Sequence, residues 1–451
     1  MEKGDLELRE VSSMYMAPEN KDLELGEVNI IQGTVHSLLD CVQKVNIQTN
    51  MFSPSIYMAP RTLRDLNPSL FNPRVVSIGP LHREDENVQA FEGRKANYLS
   101  NLMSSTNSPP EEILNSCVEK VYASLEQIKA CYVWTKTYGD AEITKMMVMD
   151  ACFILGFSRE MWMVFNKSYF GDMLLIQNVI YDLVLLENQI PFFVLDAVFQ
   201  GTVLKFMPEA SLVDYIDPIL RSLHIFDGYL NTDNIPTNTT QHILSLLHQC
   251  YEPPTSIKPG LLYTRIQSAV DLERAGVHFK PNENSTWMMG MEVKLYRFPC
   301  FFGPWGKPTL RIPKLIVENF SELVLRNLIA YEQSCQTHYH ITSYVFTMDM
   351  LVNTQEDVAR LVNSRVLDNR VGSNEEAADI INNICKDVAG VYSFYEQEWE
   401  KLNKYCNNYW PKNIAWLRRT YFSNPWNIIA LLAGIILFAL TVLQTIFTIN
   451  P

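Results

Sequence analysis

Two acidic residues sit where acids are costly. Asp150 lies in the apolar run MMVMDACFIL, and Glu187 lies in DLVLLENQIPFFVL. Burial disfavours the charged form of a carboxylate. Two such groups facing each other would part in pKa and serve as an acid/base pair, the chemistry of a hydrolase or transferase on a small substrate. Buried carboxylates also have a structural use, paired with an arginine or bonded to helix ends. Arg265 and Arg326 are candidate partners in that reading. Glu187-Asn188-Gln189 ahead of Pro191 favours it, because side-chain amides satisfy backbone groups that a proline leaves open.

Metal-ligand atoms occur in two sets. One is Cys335, His338 and His340; the other is His242, His248 and Cys250. Neither has the spacing of a known zinc motif, although His338 and His340 alternate as on one strand face. His82, after Gly79-Pro80-Leu81, reads as a turn histidine beside a strand end. No GxSxG, P-loop, GxGxxG or HExxH is present. Catalytic and metal residues are therefore left unassigned beyond these alternatives, no cofactor is expected, and a non-enzyme is the preferred reading.

These residues need elements to hold them. Helical spacing predicts helices over 111–136, 144–165, 173–199 and 241–250, the third kinked or divided at Pro191. Capping pairs predict starts at Ser268/Asp271, Asn319/Glu322, Thr354/Asp357 and Ser373/Glu376, with Gly276 as a left-handed C-cap. Short strands are expected within 73–85, over 277–280 and within 310–317, and a loop or subdomain boundary near 251–259. The expected class is mainly α, a large helical domain over 71–420 with a few short strands. Residues 1–45 read as a disordered acidic leader. DLELREV at Asp5 returns as DLELGEV at Asp22, and MYMAP at Met14 returns as IYMAP at Ile56, a pattern open to a partner-binding motif.

The last segment decides where the protein resides. Residues 421–451 hold no Asp, Glu, Lys or Arg, and 428–447 reads IIALLAGIILFALTVLQTIF. At about 1.5 Å per residue this run matches a hydrocarbon core about 30 Å thick. It predicts one transmembrane helix, with Trp426 at its edge and Ile428, Leu432, Ile436, Leu440 and Phe447 in the lipid. Trp410, Trp416, Tyr421 and Phe422 would extend the aromatic belt. Lys412, Arg418 and Arg419 precede the run and no charge follows, which predicts a cytosolic body on a single-pass anchor in the plasma membrane or an endomembrane. Sequons at Asn166, Asn238, Asn284 and Asn319 keep the inverse topology open. Nine scattered cysteines without CxxC favour reduced thiols. A net charge of −13 excludes a nucleic-acid surface. The expected partners are the lipid bilayer and an unidentified protein.

Several segments together resemble the plant "domain of unknown function 247" family. They are PRVVSIGPLHRED (73–85), MVMDACFIL (147–155), DLVLLENQIPFFVLDAVF (182–199), SAVDLERAGVHF (268–279), LRIPKLIVE (310–318), LVLRNLIAYEQ (323–333), VGSNEEAADIINNI (371–384) and the YFSNPW segment entering the anchor. The resemblance covers about 71–449. It implies a plant membrane protein with a C-terminal anchor and supplies no catalytic residues to transfer. Some grass members look like pollen-side determinants of self-incompatibility, which points to recognition or signalling. Pro80-Leu81-His82 departs from members that carry a tyrosine before the histidine.

Overall fold

Apolar side chains recurring every three to four residues over Asp140–Phe165 build the longest helix of the body, and its inward face is buried from Ile143 to Met161. The computed structural model describes residues 31–39, 54–106, 108–168, 171–232, 235–261, 267–283, 286–295, 308–335, 337–390, 392–407 and 425–449. It divides into two compact units. One is Met1–Pro54 with Lys129–Cys131, and the other is Ser55–Ile128 with Tyr132–Pro451. In the first, 31–39 is a helix with Ile31, Val35, Leu38 and Leu39 exposed, inside the stretch expected to be disordered. The second unit begins ahead of Phe71, and the units do not divide at 251–259.

Numbered from Glu92, the longer helices of the second unit are α1 (Glu92–Ser104), α2 (Pro110–Ala123), α3 (Asp140–Phe165), α4 (Met173–Leu183), α5 (Phe192–Gly201), α6 (Leu212–Ser222) and α7 (Ile243–Cys250). After them come α8 (Ser321–Ser334), α9 (His340–Leu351), α10 (Gln355–Asn363), α11 (Asn374–Ile384), α12 (Glu396–Cys406) and α13 (Pro425–Ile449). Helices α1, α2, α5 and α6 pack around α3, and α7, α9 and α11 pack on α8. The strands are β1 (Gly260–Leu261), β2 (His278–Pro281), β3 (Glu292–Lys294), β4 (Thr309–Ile312), β5 (Leu315–Val317), β6 (Leu367–Asn369) and β7 (Tyr392–Ser393). Central β4 pairs parallel with β2 and antiparallel with β3; β5 and β6 pair parallel, and β1 and β7 antiparallel. The architecture is mainly helical with a few short strands.

Most helix punctuation falls where the sequence places it. Ser268 and Ser373 accept the amides of Asp271 and Glu376, and Thr354 with Asp357 forms a capping box. Gly276 has φ 90° just beyond the helix Ala269–Arg274. Asn319 does not cap α8. Its N-cap is Phe320, and Ser321 Oγ instead accepts the Glu318 amide. The long 173–199 segment is divided more widely than a kink: α4 stops at Leu183 and α5 restarts after Pro191. Residues 73–78 form no strand, because their backbone partners are side chains.

Candidate functional site

The segment Pro73–Pro80 bends at Arg74–Val75 and at Gly79–Pro80 and has no neighbouring strand. Its amides must be satisfied individually. Asp182 at the end of α4 accepts the Arg74 amide on Oδ1 (2.7 Å) and those of Val75 and Val76 on Oδ2 (2.8 Å each). Asn188 accepts from Ile78 at 2.6 Å and donates to Val76 O and Asp182 O. Burial pushes the Asp182 carboxyl up to about 6, against the three amides that hold its charged form.

The next amide goes to Asp150. Gly79 N donates to its Oδ2 at 2.8 Å, and Lys95 Nζ donates to its Oδ1 at 2.6 Å. Both side chains are fully buried, and Lys95 also reaches Ser77 O and Glu92. Burial raises the Asp150 pKa and the Lys95 charge opposes it. Gly79 has φ +74°, and a Cβ there would stand 2.5 Å from Gln189 O, so the close approach needs glycine.

Glu187 closes the same loop from the other side. Its Oε1 accepts the Ala59 amide at 2.8 Å, and its Oε2 takes Arg64 and His82 Nε2, the latter at 2.8 Å. His82 Nδ1 meets Asp85 at 2.6 Å. Burial lowers the His82 pKa while Asp85 raises it. Two acceptors thus flank one ring, and a neutral imidazole donates to only one. Asp150 and Glu187 do not face each other as a pair. They anchor one loop, Gly79–Arg83, from two sides, with Arg83 Nη1 3.8 Å from Asp150. Their cations are Lys95 and Arg64. Arg326 instead bonds Glu322 and Asn383 O, and Arg265 lies outside the described residues.

Among the described residues, one group brings three ligand-bearing side chains together: His248, Glu332 and His340, all fully buried. It takes one histidine from each set expected from sequence. His338 is exposed, Cys335 Sγ lies 3.4 Å from Tyr57 OH, and His340 opens helix α9 instead of standing on a strand. Glu332 Oε1 accepts from His248 Nε2 (2.9 Å) and Ile341 N (2.8 Å), and Oε2 accepts from the amide and hydroxyl of Thr342. The carboxylate thus caps the start of α9, with every lone pair engaged. A cation would have only His248 Nδ1 and His340 Nδ1, which have no hydrogen-bond partner. The donor set fits a helix cap better than a metal.

An open groove of about 730 Å³ runs between α1, α3 and α4, lined by Arg94, Asn97, Asn101, Arg159, Glu160 and Asp172 among others. Neither Asp150 nor Glu187 lines it. No sequence motif marks the groove, since its residues are ordinary surface polar types on three helices.

Ile56–Pro60, the second copy of the MYMAP-like repeat, belongs to the body. Ile56 is fully buried and bridges Tyr132, Ser55 O accepts from His242 Nε2, and Tyr57 OH donates to Tyr331 O. The first copy lies outside the described residues, as do Trp410, Trp416, Tyr421 and Phe422. In α13, Trp426–Ile446 has mean hydropathy 2.5 and none of it is buried in the body, so it is long and apolar enough to cross a membrane. Ile436, Leu432, Leu440 and Trp426 are exposed along it, and Ile428 is half-buried.

A family model described as plant protein of unknown function, DUF247, matches residues 56–440. The UPF0481 protein At3g47200 of Arabidopsis thaliana is 26% identical over 419 residues, spanning 86% of this chain and 85% of the relative. The putative UPF0481 protein At3g02645 of the same plant is 24% identical over 497 residues, spanning 86% and 89%. No solved structure matches. With a signature extending from the docked Ile56 segment into the apolar C-terminal helix, the chain belongs to the plant DUF247 family of proteins of unknown function.

Proposed function

We propose that this is a single-pass membrane protein of recognition or signalling, whose helical body binds a protein partner in the α1–α3–α4 groove. The observation that carries the reading is the contrast between its acids and its groove. Asp150 and Glu187 have their oxygens engaged by Gly79, Lys95, Ala59, Arg64 and His82, and neither opens into the groove. An acid/base mechanism needs a titratable group within reach of a substrate. The groove offers two cations, two anions and amide side chains, the complement of a polar peptide surface. Tethering to a membrane raises effective concentration, so modest affinity suffices. The basic residues before the span support a cytosolic body.

The experiment is crosslinking mass spectrometry on intact plant membranes carrying the full chain or its Asn97→Arg/Asn101→Arg variant. Both asparagines are exposed groove residues on α1. A partner crosslinked at the groove should be lost in that variant and kept in Glu356→Lys, a change on α10 away from it. An identical partner profile in all three refutes the reading. Protease protection of sealed vesicles tests the orientation: a protected body refutes a cytosolic one.

A further inference from the structure

Where α3 ends and α4 begins, the body exposes five large apolar side chains. Trp162, Met163 and Phe165 on the last turns of α3 are 40%, 41% and 51% exposed, and Met173 and Leu174 opening α4 are 57% and 69% exposed. A soluble surface seldom keeps this many large apolar side chains together. The charges around them are one-sided. From Met161 to Gly171 the only charged residue is Lys167, which is exposed. Asp172 is occupied as the α4 N-cap, accepting from Leu175 N, and Glu160 accepts from Tyr98 OH. Trp162 Nε1 donates inward to Tyr215 O at 3.3 Å, so what it turns outward is its carbon face.

We propose that this corner is a second membrane contact, laying Trp162, Phe165, Met173 and Leu174 into the headgroup–acyl boundary of the bilayer that α13 spans. A bilayer is favoured over a protein for three reasons. Aromatic and long aliphatic side chains with no acid from Met161 to Gly171 are the composition of an interfacial segment. Exposed Lys167 suits an anionic leaflet. The apolar span in the same chain keeps a bilayer at hand. Met163, Asp172 and Leu175 also line the groove. Seating the corner therefore holds the groove against the membrane surface and restricts its partner to segments lying there. The proposal rests on the reading of α13 as a span.

The test reconstitutes the full chain in vesicles of phosphatidylcholine and phosphatidylserine carrying a diazirine-tailed phospholipid, and maps the adducts by mass spectrometry after illumination. Adducts are expected at 162–165 and 173–174 as well as within 426–446. The variant Phe165→Ser/Met173→Ser/Leu174→Ser changes exposed side chains only, and it should lose the corner adducts while keeping those in the span. Adducts confined to the span in the wild-type chain overturn the corner proposal alone. Adducts in neither place overturn the span as well.

Discussion

His242 offers the cleanest test of how the body is held. It is fully buried and caps α7, its Nδ1 accepting the Ser245 amide at 3.2 Å and its Nε2–H donating to Ser55 O at 3.2 Å. Both ring positions are engaged only by the neutral form. Burial accordingly pulls the pKa from 6.5 to about 3. Between those values the unfolded chain binds one proton more than the folded one, so stability is fully present above pH 6.5 and is lost as pH falls. The slope is about 1.4 kcal/mol per pH unit, or about 2.7 kcal/mol from pH 6.5 to 4.5. In His242→Asn the amide oxygen still serves as an N-cap but does not titrate. The variant loses the bond to Ser55, a constant cost of about 1 kcal/mol. It should therefore be the less stable protein at pH 7.5 and the more stable one at pH 4.5, the curves crossing near pH 5.8. Burial also depresses His340 and raises Asp182 to about 6, contributions of opposite sign that cancel between the two curves. The assay is hydrogen exchange of the α7 amides across pH, corrected for intrinsic rates, with the chain in nanodiscs. Parallel loss of protection in the two proteins would refute the reasoning.

Asp182→Ala leaves the amides of Arg74, Val75 and Val76 without an acceptor, at about 1–3 kcal/mol each, and should raise the insoluble fraction on expression; unchanged yield and melting temperature count against it. Lys95→Met strands the buried Asp150 and should cost about 3–5 kcal/mol, whereas Lys95→Met/Asp150→Leu should recover most of that; additive losses would show that the pair is not coupled. Gly79→Ala forces a side chain into a left-handed backbone against Gln189 O, and should cost more stability than the about 1–2 kcal/mol of the backbone alone, read as a lower thermal midpoint; an unchanged midpoint counts against it. Removing α13 should move the protein from the membrane pellet to the supernatant, and continued sedimentation after a carbonate wash would contradict the anchor.

The helical class, the C-terminal apolar helix and most helix starts were legible because their signals are local. A serine and a carboxylate three residues apart define a cap wherever they occur, as Ser268 and Ser373 do. The role of Asn188 and Gln189 was half legible. Gln189 does donate to Leu183 O and Leu185 O in the gap ahead of Pro191, as the proline implied. Nothing local shows that Asn188 also holds Ile78. The same limit misassigned the cations of Asp150 and Glu187. Lys95 and Arg64 lie on other elements, and no periodicity links residues whose only relation is a meeting in space. A strand was expected within 73–85 because β-branched residues favour extended backbone. The partners of residues 73–78 are a carboxylate and an amide instead of a neighbouring ladder, a choice invisible to propensity.

The Pro73–Pro80 segment, held by side chains far along the chain, also sets an order of events during synthesis. Asn188, which accepts the Ile78 amide, follows it by 110 residues. At about 5–20 residues per second, the ribosome delivers that acceptor about 6–22 s after the amide it must satisfy. For that interval Val76 and Ile78, fully shielded in the finished protein, hang on the nascent chain with no docking surface. A stretch that is apolar, extended and unpaired is what holdase chaperones bind. An early part of the body thus waits for elements made about 110 residues later, and ribosomal pausing between codons 80 and 182 should lengthen its dependence on chaperones.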